Sequence, residues 1–540
     1  MDKEEKKGKR VFLREATGLV REAGPLDLLA FASLNISWGL SAMWLFLWGP
    51  YYAPGGDLYL GITIVLVPMI FGALAWAFLA SVMPRSGGDF IFNSRILHPL
   101  LGFLSSLGWV AVNFIWCATL SAYVASPALS MLAYTMGWTA IGDFVSSSLG
   151  IFVVASFVIV FSSLILIWGI KPYLKLQLIM FVFGILMFLI LWGLMGTTSQ
   201  AGFQAAWNSF SAKYDSGSFN AIISTAQADG ISWTPSFTAT LLLMPIAFWG
   251  LGYPYLATYI AGETKKVHRS ALIGIPGGLL LCGIFWYITA AILIAVVGYP
   301  FLTSVAYVGG NGLSPYAIPF LPMFHLFAAV LTENPILIFL LGWGFVAWNF
   351  MYAIYSLLPQ SRIALAWAFD RIVPSFFGDV SERFHTPVKS IIIFAIGGEI
   401  VLFVYAFFKP PIIVSFTAMI PQILTTFLLV SIAAMILPFR KKLKSVYEAS
   451  PVSKYKVGPI PFISICGAIY CGLLLSVLYF FFTNTGLGAF SWSLESVAAQ
   501  SLIVVAVIYI FGIIYFYAMR AYRKKQGIDI DLAFKELPPE

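Results

Sequence analysis

The chain has 540 residues, of which 60% are hydrophobic and 10% are charged, with a formal net charge of +8 at pH 7. Soluble proteins carry about 25% charged residues, so this composition excludes an ordinary soluble enzyme and indicates a membrane protein. The positive charge could point to a nucleic acid. The basic residues lie between apolar runs, however, where Lys and Arg set the orientation of membrane spans. No nucleic-acid partner is therefore expected.

The first 25 residues form a charged N-terminal tail that lacks the apolar core and cleavage site of a secretory signal. Twelve continuous apolar runs follow, each long enough to cross about 30 Å of hydrocarbon as a helix. They begin near residues 26, 60, 100, 149, 174, 237, 271, 335, 389, 411, 459 and 496. Backbone polar groups in lipid must be satisfied within the segment, and the runs do not alternate as barrel strands do. We therefore predict an all-α polytopic membrane protein with twelve transmembrane helices.

The basic residues distribute unevenly over this twelve-span topology. Of the 31 Lys and Arg residues, only Lys213 and Lys409 fall on the side opposite the two tails. This positive-inside pattern predicts a multi-pass protein of the cytoplasmic membrane with both termini in the cytoplasm.

Two of the runs are interrupted near their middles. The first contains "LNISWGLSAMW" (34–44), and the sixth contains "MPIAFWGLGYPYLATY" (244–259). Five spans separate them, so they cross in opposite directions. Interrupted helices at matching positions of two inverted halves point to a transporter binding site, where a half-helix N-terminus favours a carboxylate and freed carbonyls favour an ammonium or cation. Close helix packing through Gly and Ser is the alternative for either segment alone.

Two of the predicted connections are long. Residues 198–236 form a long outer loop, and the segment 299–333 includes a short apolar stretch around His325 that is expected to lie as a surface helix.

The four cysteines lie inside apolar runs as packing residues, so no disulfide and no metal site is predicted. The four histidines lie in loops or at span edges, which argues against a redox subunit with haem or copper. No phosphate-binding loop is present, so ATP hydrolysis by this chain is not expected. We predict neither an enzyme activity nor a cofactor.

Three motifs carry a family resemblance. "MPRSGGDFIFNSRILHPLLGF" (83–103) follows the second run, "GYPYLATYIAGETKKVHRS" (252–270) ends the sixth, and "SRIALAWAFDRIVP" (361–374) with "HTP" (385–387) follows the eighth. In this order the motifs resemble those of the amino acid–polyamine–organocation (APC) superfamily, of the prokaryotic amino acid permease type. The resemblance covers roughly residues 20–440.

The resemblance implies a LeuT-like fold, in which two inverted repeats of five helices are followed by two further helices. The repeats would occupy residues 26–236, including the outer loop, and 237–440. Helices 11 and 12 would lie within 441–520, and 521–540 would form a cytoplasmic tail.

The resemblance also implies a substrate site at unwound parts of spans one and six. The first would receive the α-carboxylate and the second the α-amino group through backbone atoms, with Trp38 and Trp249 shaping or covering the pocket. Ordinary aromatic packing is the alternative for both rings. The positions that match are Ser37, Trp38, Gly39, Leu40, Ser41, Phe248, Trp249, Gly250, Leu251 and Gly252.

For proton coupling and for the residues of an inner gate, the sequence leaves alternatives. Several proton-coupled relatives carry a lysine within span five, but here Lys175 lies at its edge and Gly184 is near the expected position. Glu399, an acid at membrane depth, is a proton-carrier candidate or an interface residue. The residues near inner span ends are expected to form ion pairs or helix caps that close an inner gate, with simple solvation as the alternative. These gating candidates are Asp89, Glu263, Arg362 and Asp370, and Asp27 is considered with them.

The sequence therefore predicts a secondary transporter that moves amino acids or related amines across the membrane by alternating access. Its partners would be a small-molecule substrate, the lipid bilayer and, as one possibility, a co-transported proton. An exchanger or uniporter, and a polyamine or nucleobase permease of the same fold, remain alternatives. A receptor, a channel or a redox subunit is more distant.

Overall fold

The computed structural model describes residues 18–410, 419–483 and 496–534. In this part of the chain, twelve helical segments are long and apolar enough to cross a membrane, which confirms the predicted count. We number them as spans 1 to 12. They are Pro25–Tyr52, Leu58–Val82, Pro99–Thr135, Ser148–Trp168, Ile170–Gly196, Phe237–Glu263, Val267–Val297, Pro335–Phe369, Val388–Phe408, Ile420–Phe439, Phe462–Thr483 and Ala499–Lys525. The predicted start of the tenth run near residue 411 lies outside the described residues.

Short elements connect the spans. An antiparallel pair of two-residue strands, Lys456–Val457 and Ile460–Pro461, precedes span 11. The connecting α-helices are Asp89–Ile96, Thr139–Ser146, Gln200–Ala212, Phe219–Ala228, Tyr299–Gly310, Phe324–Ala329 and Lys444–Ala449, and the short helix Ile530–Ala533 follows span 12. Because the number of spans is even, both ends of the described chain lie on one side, which we call the N-terminal face; the other is the opposite face.

The predicted long loop 198–236 contains two of these helices. Ser199 and Ser218 cap them by accepting hydrogen bonds from the Gly202 and Ala221 amides. The rings of Phe219 and Phe301 stack at 4.1 Å between centroids and join this region to the helix Tyr299–Gly310. The outer connection is thus a packed helical cover.

The expectation of a surface helix around His325 is wrong. Phe324–Ala329 is a six-residue helix whose residues are all buried, because five of its six side chains are apolar or aromatic. The His325 ring stacks on Phe345 with 4.1 Å between centroids. Burial lowers the pKa of His325 to about 3, so this residue is neutral.

Burial separates a central group of spans from a peripheral one. In their most apolar stretches, span 1 is 89% and span 6 is 83% buried, whereas span 9 is 28% and span 12 is 11% buried. Apolar helices with little protein cover present their side chains to lipid. The two spans with interrupted sequences are therefore the most enclosed.

Span 1 consists of several helical pieces. Pro25 begins the first piece, and the Asp27 carboxylate accepts a hydrogen bond from the Gly24 amide at 2.8 Å. This piece ends at Ile36, and Ser37 adopts the left-handed conformation with φ +49°, which is uncommon for a residue other than glycine. The chain resumes as the helix Trp38–Met43 and continues as a π-helical turn, Trp44–Trp48.

Span 6 changes its helical form at a proline. The helix Met244–Leu251 is followed by Gly252 and Tyr253, and Pro254–Glu263 continues as a 3₁₀ helix. A proline ring disfavours the α conformation at the residue before it. Since Tyr253 precedes Pro254, the helix breaks at Tyr253.

The unwound stretches are shorter than the resemblance implies. In span 1 only Ser37 departs from helical geometry, and Trp38, Gly39, Leu40 and Ser41 are helical, because one left-handed residue is enough to redirect the chain. In span 6 the helix includes Phe248, Trp249, Gly250 and Leu251, because Pro254 sets the break further along the chain.

Candidate substrate site

Spans 1 and 6 pack against each other close to their breaks. A Cβ added at Gly250 would lie 3.1 Å from the Ser41 Cβ and 2.3 Å from the Trp286 ring. The Trp286 indole N–H in turn donates to the Trp38 carbonyl at 3.1 Å. Trp286 of span 7 therefore holds the two interrupted spans against each other, and glycine at 250 permits the close approach.

Hydroxyl groups satisfy the backbone at the break of span 1. The Ser37 hydroxyl donates to the Trp348 carbonyl of span 8 at 3.2 Å. The Ser41 hydroxyl donates to the Ile36 carbonyl, which also accepts from the Tyr352 hydroxyl at 3.4 Å. Neutral donors thus fix the break of span 1 against span 8.

The break of span 6 frees a carbonyl. In an α-helix the carbonyl of residue 250 would accept from the N–H of residue 254, but Pro254 has no N–H. The last helical hydrogen bond at this end is that from the Gly252 amide to the Phe248 carbonyl, at 2.8 Å. Pro254 therefore leaves the Gly250 carbonyl without its α-helical donor.

A small pocket lies beside the two breaks. Its volume is about 10 Å³, roughly the space of one water molecule. It is lined by Leu40, Ser41, Trp44, Trp116, Leu120, Trp249, Tyr253 and Tyr352. The Trp116 ring stands edge-on to Trp249 and Tyr253, with centroids 5.5 and 5.2 Å away, so aromatic rings fill the site.

A vestibule of about 520 Å³ lies on the opposite face. It is lined by the outer parts of spans 1 and 3 and by residues 309–321, which lie between spans 7 and 8. Trp44 lines both the vestibule and the small pocket, and its ring lies 6.5 Å from the Trp249 ring. Trp44 therefore separates the central pocket from the opposite face.

A buried ion pair lies at the N-terminal face. Arg362 Nε and Nη2 donate to the two Glu263 carboxylate oxygens at 2.9 and 3.0 Å, and both side chains are almost fully buried. The Glu22 and Ala23 amides donate to the Glu263 carbonyl at 2.8 and 3.0 Å. The chain before span 1, the end of span 6 and the end of span 8 are thus joined.

A second buried pair lies nearby. Arg95 donates to both Asp370 oxygens at 2.6 and 2.9 Å, and its guanidinium lies 5.2 Å from the Phe534 ring. The predicted ion pairing is therefore present for Glu263, Arg362 and Asp370. Asp27 instead caps its own helix.

Asp89 accepts from hydroxyl groups rather than from a cation. It is fully buried and accepts from Ser105 and, at 2.6 Å, from Tyr259. Burial raises its pKa to about 6, against the opposing effect of these hydrogen bonds. It joins the helix Asp89–Ile96 to spans 3 and 6.

Asp89→Asn should change how stability depends on pH. The folded pKa of about 6 exceeds the unfolded value of 3.8, so the folded protein binds more protons between these values. The contribution of Asp89 is therefore present at low pH and is lost as pH rises from about 4 to about 6. The difference in melting temperature between Asp89→Asn and the wild type should vary over this interval and flatten above it. A constant difference from pH 4 to 7 would contradict the raised pKa.

The structure brings only part of the predicted substrate site to the pocket. Leu40, Ser41 and Trp249 line it, whereas Trp38 packs between Phe285 and Trp348, with ring centroids 4.6 and 5.5 Å away. The remaining predicted positions are not among the lining residues; they are Ser37, Gly39, Phe248, Gly250, Leu251 and Gly252. Sequence reasoning missed Trp44, Trp116, Leu120, Tyr253 and Tyr352, which come from spans 1, 3, 6 and 8.

Trp348 occupies the space where a span-five lysine would reach. A Cβ added at Gly184 or at Gly39 would lie 2.4 Å from the Trp348 indole. The indole thus packs between spans 1 and 5, and the two glycines make room for it.

Glu399 lies away from the pocket. It accepts from the Ser156 hydroxyl of span 4 at 2.7 Å, and within the described residues its other oxygen has no partner. Its neighbours Ile396 and Ile400 are exposed on the outside of span 9. The described residues contain no group of three or more His, Cys, Asp or Glu side chains that could hold a metal ion.

Comparison with known proteins identifies the family. A family model described as amino acid permease matches residues 52–513, most of the chain. The chain belongs to the amino acid permease family. Members of this family have the LeuT-like fold of the APC superfamily, which agrees with the twelve spans of this permease. The family consists of transporters and not of enzymes.

Two relatives match a shorter part of this permease. It is 32% identical over 146 residues to the vacuolar cationic amino acid transporter 4 of Arabidopsis thaliana, which covers 26% of this chain and 20% of the relative. It is 27% identical over 148 residues to the vacuolar cationic amino acid transporter 2 of the same plant, which covers 27% of this chain and 20% of the relative. The matches thus span about a fifth of each relative.

Proposed function

We propose that this permease is a secondary transporter that moves amino acids across the cytoplasmic membrane by alternating access. The observation that carries the proposal is Pro254, which leaves the Gly250 carbonyl of span 6 without its helical donor at a residue that packs on Ser41 of span 1. A backbone carbonyl without a helical partner favours a cation, and the amides at the start of a helix favour an anion. An amino acid carries both charges, as an ammonium and a carboxylate group, so the two sites together suit it.

The α-ammonium group would bind at the Gly250 carbonyl, and the α-carboxylate at the first amides of the segment that begins at Trp38. Hydrogen bonds to ionised groups are roughly twice as strong as neutral ones, so backbone atoms suffice for this recognition. The side chain of the substrate would point toward the rings of Trp116 and Trp249, which line the pocket.

Transport requires that the two faces open in turn. In the present state the vestibule is open on the opposite face and the Glu263–Arg362 pair joins the elements at the N-terminal face. We propose that Trp44 moves to admit the substrate, and that release follows when this pair, Arg95–Asp370 and the Asp89 contacts separate. The distribution of the basic residues supports a cytoplasmic location of the N-terminal face and of both termini.

Coupling to protons is a separate proposal, with exchange or uniport as its alternatives. Glu399 is the coupling candidate, because one of its oxygens has no partner in the described structure. Glu399→Gln should abolish any increase in uptake that an inward proton gradient produces, while leaving exchange of labelled for unlabelled substrate unchanged. A gradient-driven increase that survives this substitution would exclude Glu399 from coupling.

A binding screen tests the proposed function. The purified permease in detergent would be heated with individual amino acids, spermidine and nucleobases. A ligand at 100 times its dissociation constant adds about 2.7 kcal/mol of stability, which raises the melting temperature measurably. A response to amino acids supports the proposal, including the cationic ones that the names of the two relatives suggest. A response to spermidine or a nucleobase alone would transfer the function to that substrate class.

A further inference from the structure

The route from the opposite face to the central pocket carries no charged side chain. Within the described chain, the vestibule and the pocket are lined by aromatic, aliphatic, Gly, Pro and Ser residues, without Asp, Glu, Lys, Arg or His. From this, and resting on the proposed transport of amino acids, we infer that the substrate is an amino acid with an uncharged, apolar side chain. Cationic and acidic amino acids are excluded.

Seven of the eight residues that line the pocket are aromatic or aliphatic, and Ser41 is the eighth. Five of its eight lining residues are aromatic, and Leu40 and Leu120 supply the aliphatic part. The Trp249 and Tyr253 rings also meet nearly at right angles, 5.7 Å between centroids. Such walls stabilise an apolar side chain by dispersion and by its removal from water.

A charged side chain would have no counter-ion in this pocket. The backbone at the two breaks accounts for the substrate's own carboxylate and ammonium groups, so a further charge would be buried alone. Buried charges in proteins are paired, because an isolated charge loses its hydration without compensation. Cation–π attraction from the rings replaces only part of the hydration of a compact ammonium group.

Among the described residues, the three fully buried acids are engaged away from the pocket. Glu263 binds Arg362, and Asp370 binds Arg95, both at the N-terminal face. Asp89 accepts from the hydroxyls of Ser105 and Tyr259. None of the three lines the pocket, so none is placed to accept a lysine or arginine side chain.

Thermal-shift titration of the wild-type full chain decides the question. Leucine, phenylalanine and alanine would be compared with lysine, arginine and glutamate at pH 7. We expect the charged amino acids to bind at least about 100-fold more weakly than the best neutral one. Lysine or arginine that binds as tightly as the neutral amino acids would overturn the inference and leave the proposed function standing. Silence toward every amino acid would overturn the proposed function, and this inference with it.

A matched pair of variants tests the charge argument. Leu120→Asp and Leu120→Asn introduce polar side chains of the same size that differ by one negative charge. The ratio of lysine to leucine affinity is compared within each variant, so that a shared loss of stability cancels. We expect this ratio to rise at least about tenfold in Leu120→Asp over Leu120→Asn. Equal ratios would show that the missing carboxylate does not determine selectivity and would overturn the inference.

Discussion

Arg362→Met should destabilise the closed N-terminal face by about 3–5 kcal/mol, because it leaves a buried carboxylate without its partner. Arg362 and Glu263 are 1% and 0% exposed, and methionine retains the apolar length of arginine without its donors. Thermal unfolding should show the loss. Hydrogen exchange should rise at the Glu22, Ala23 and Lys265 amides, whose hydrogen bonds join the chain before span 1 to the end of span 6.

Two controls isolate the buried ion pair. The double variant Glu263→Leu with Arg362→Met removes both charges and should recover most of the stability, because an apolar pair needs no counter-ion. Lys389→Met breaks the exposed pair with Asp379 and should cost at most about 1 kcal/mol. If Arg362→Met is no more destabilising than Lys389→Met, the Glu263–Arg362 pair does not hold this face closed.

Pro254→Ala should weaken the binding of the amino acid substrate by about 10–100-fold with little change in fold stability. Alanine restores an N–H that can bond to the Gly250 carbonyl and extend the helix Met244–Leu251. The substrate ammonium group would then lose a hydrogen bond of the charged kind, worth about 1.5–3 kcal/mol. Isothermal titration with the amino acid that gives the largest thermal shift measures the change.

Pro68→Ala is the matched control, because Pro68 also lies inside a span and does not line the pocket. It should leave affinity unchanged, and unchanged affinity in Pro254→Ala as well would remove the Gly250 carbonyl from the site. Substitution of Gly250 or Gly39 by valine is a poorer test. Their added atoms would meet the buried Trp286 and Trp348 rings, so folding would suffer together with binding.

The spans and the presence of the two breaks could be predicted from the sequence because their signals are local. Twenty apolar residues in a row, or two prolines and two glycines within one span, need no knowledge of tertiary contacts. The freed Gly250 carbonyl is also local, since a helical carbonyl depends on the residue four positions later and that residue is Pro254.

The lining of the pocket could not be predicted in the same way. Trp44 and Trp116 belong to apolar runs in which either ring could face lipid, and their meeting with Tyr352 depends on how three spans pack. The ion pair of Asp370 with Arg95 could not be predicted either, since the two residues lie 275 positions apart in the sequence. The lengths of the breaks differ from the prediction because they depend on the backbone conformation of Ser37 and Tyr253, which a short motif does not fix.

Counterflow in liposomes tests the central claim of amino acid transport most directly. Purified permease would be reconstituted into vesicles preloaded with unlabelled leucine, and the uptake of external labelled leucine would be followed without an ion gradient. We expect uptake that saturates, overshoots the level of empty vesicles, and falls in Pro254→Ala. Labelled leucine that enters loaded, empty and protein-free vesicles equally would contradict transport of this amino acid by alternating access.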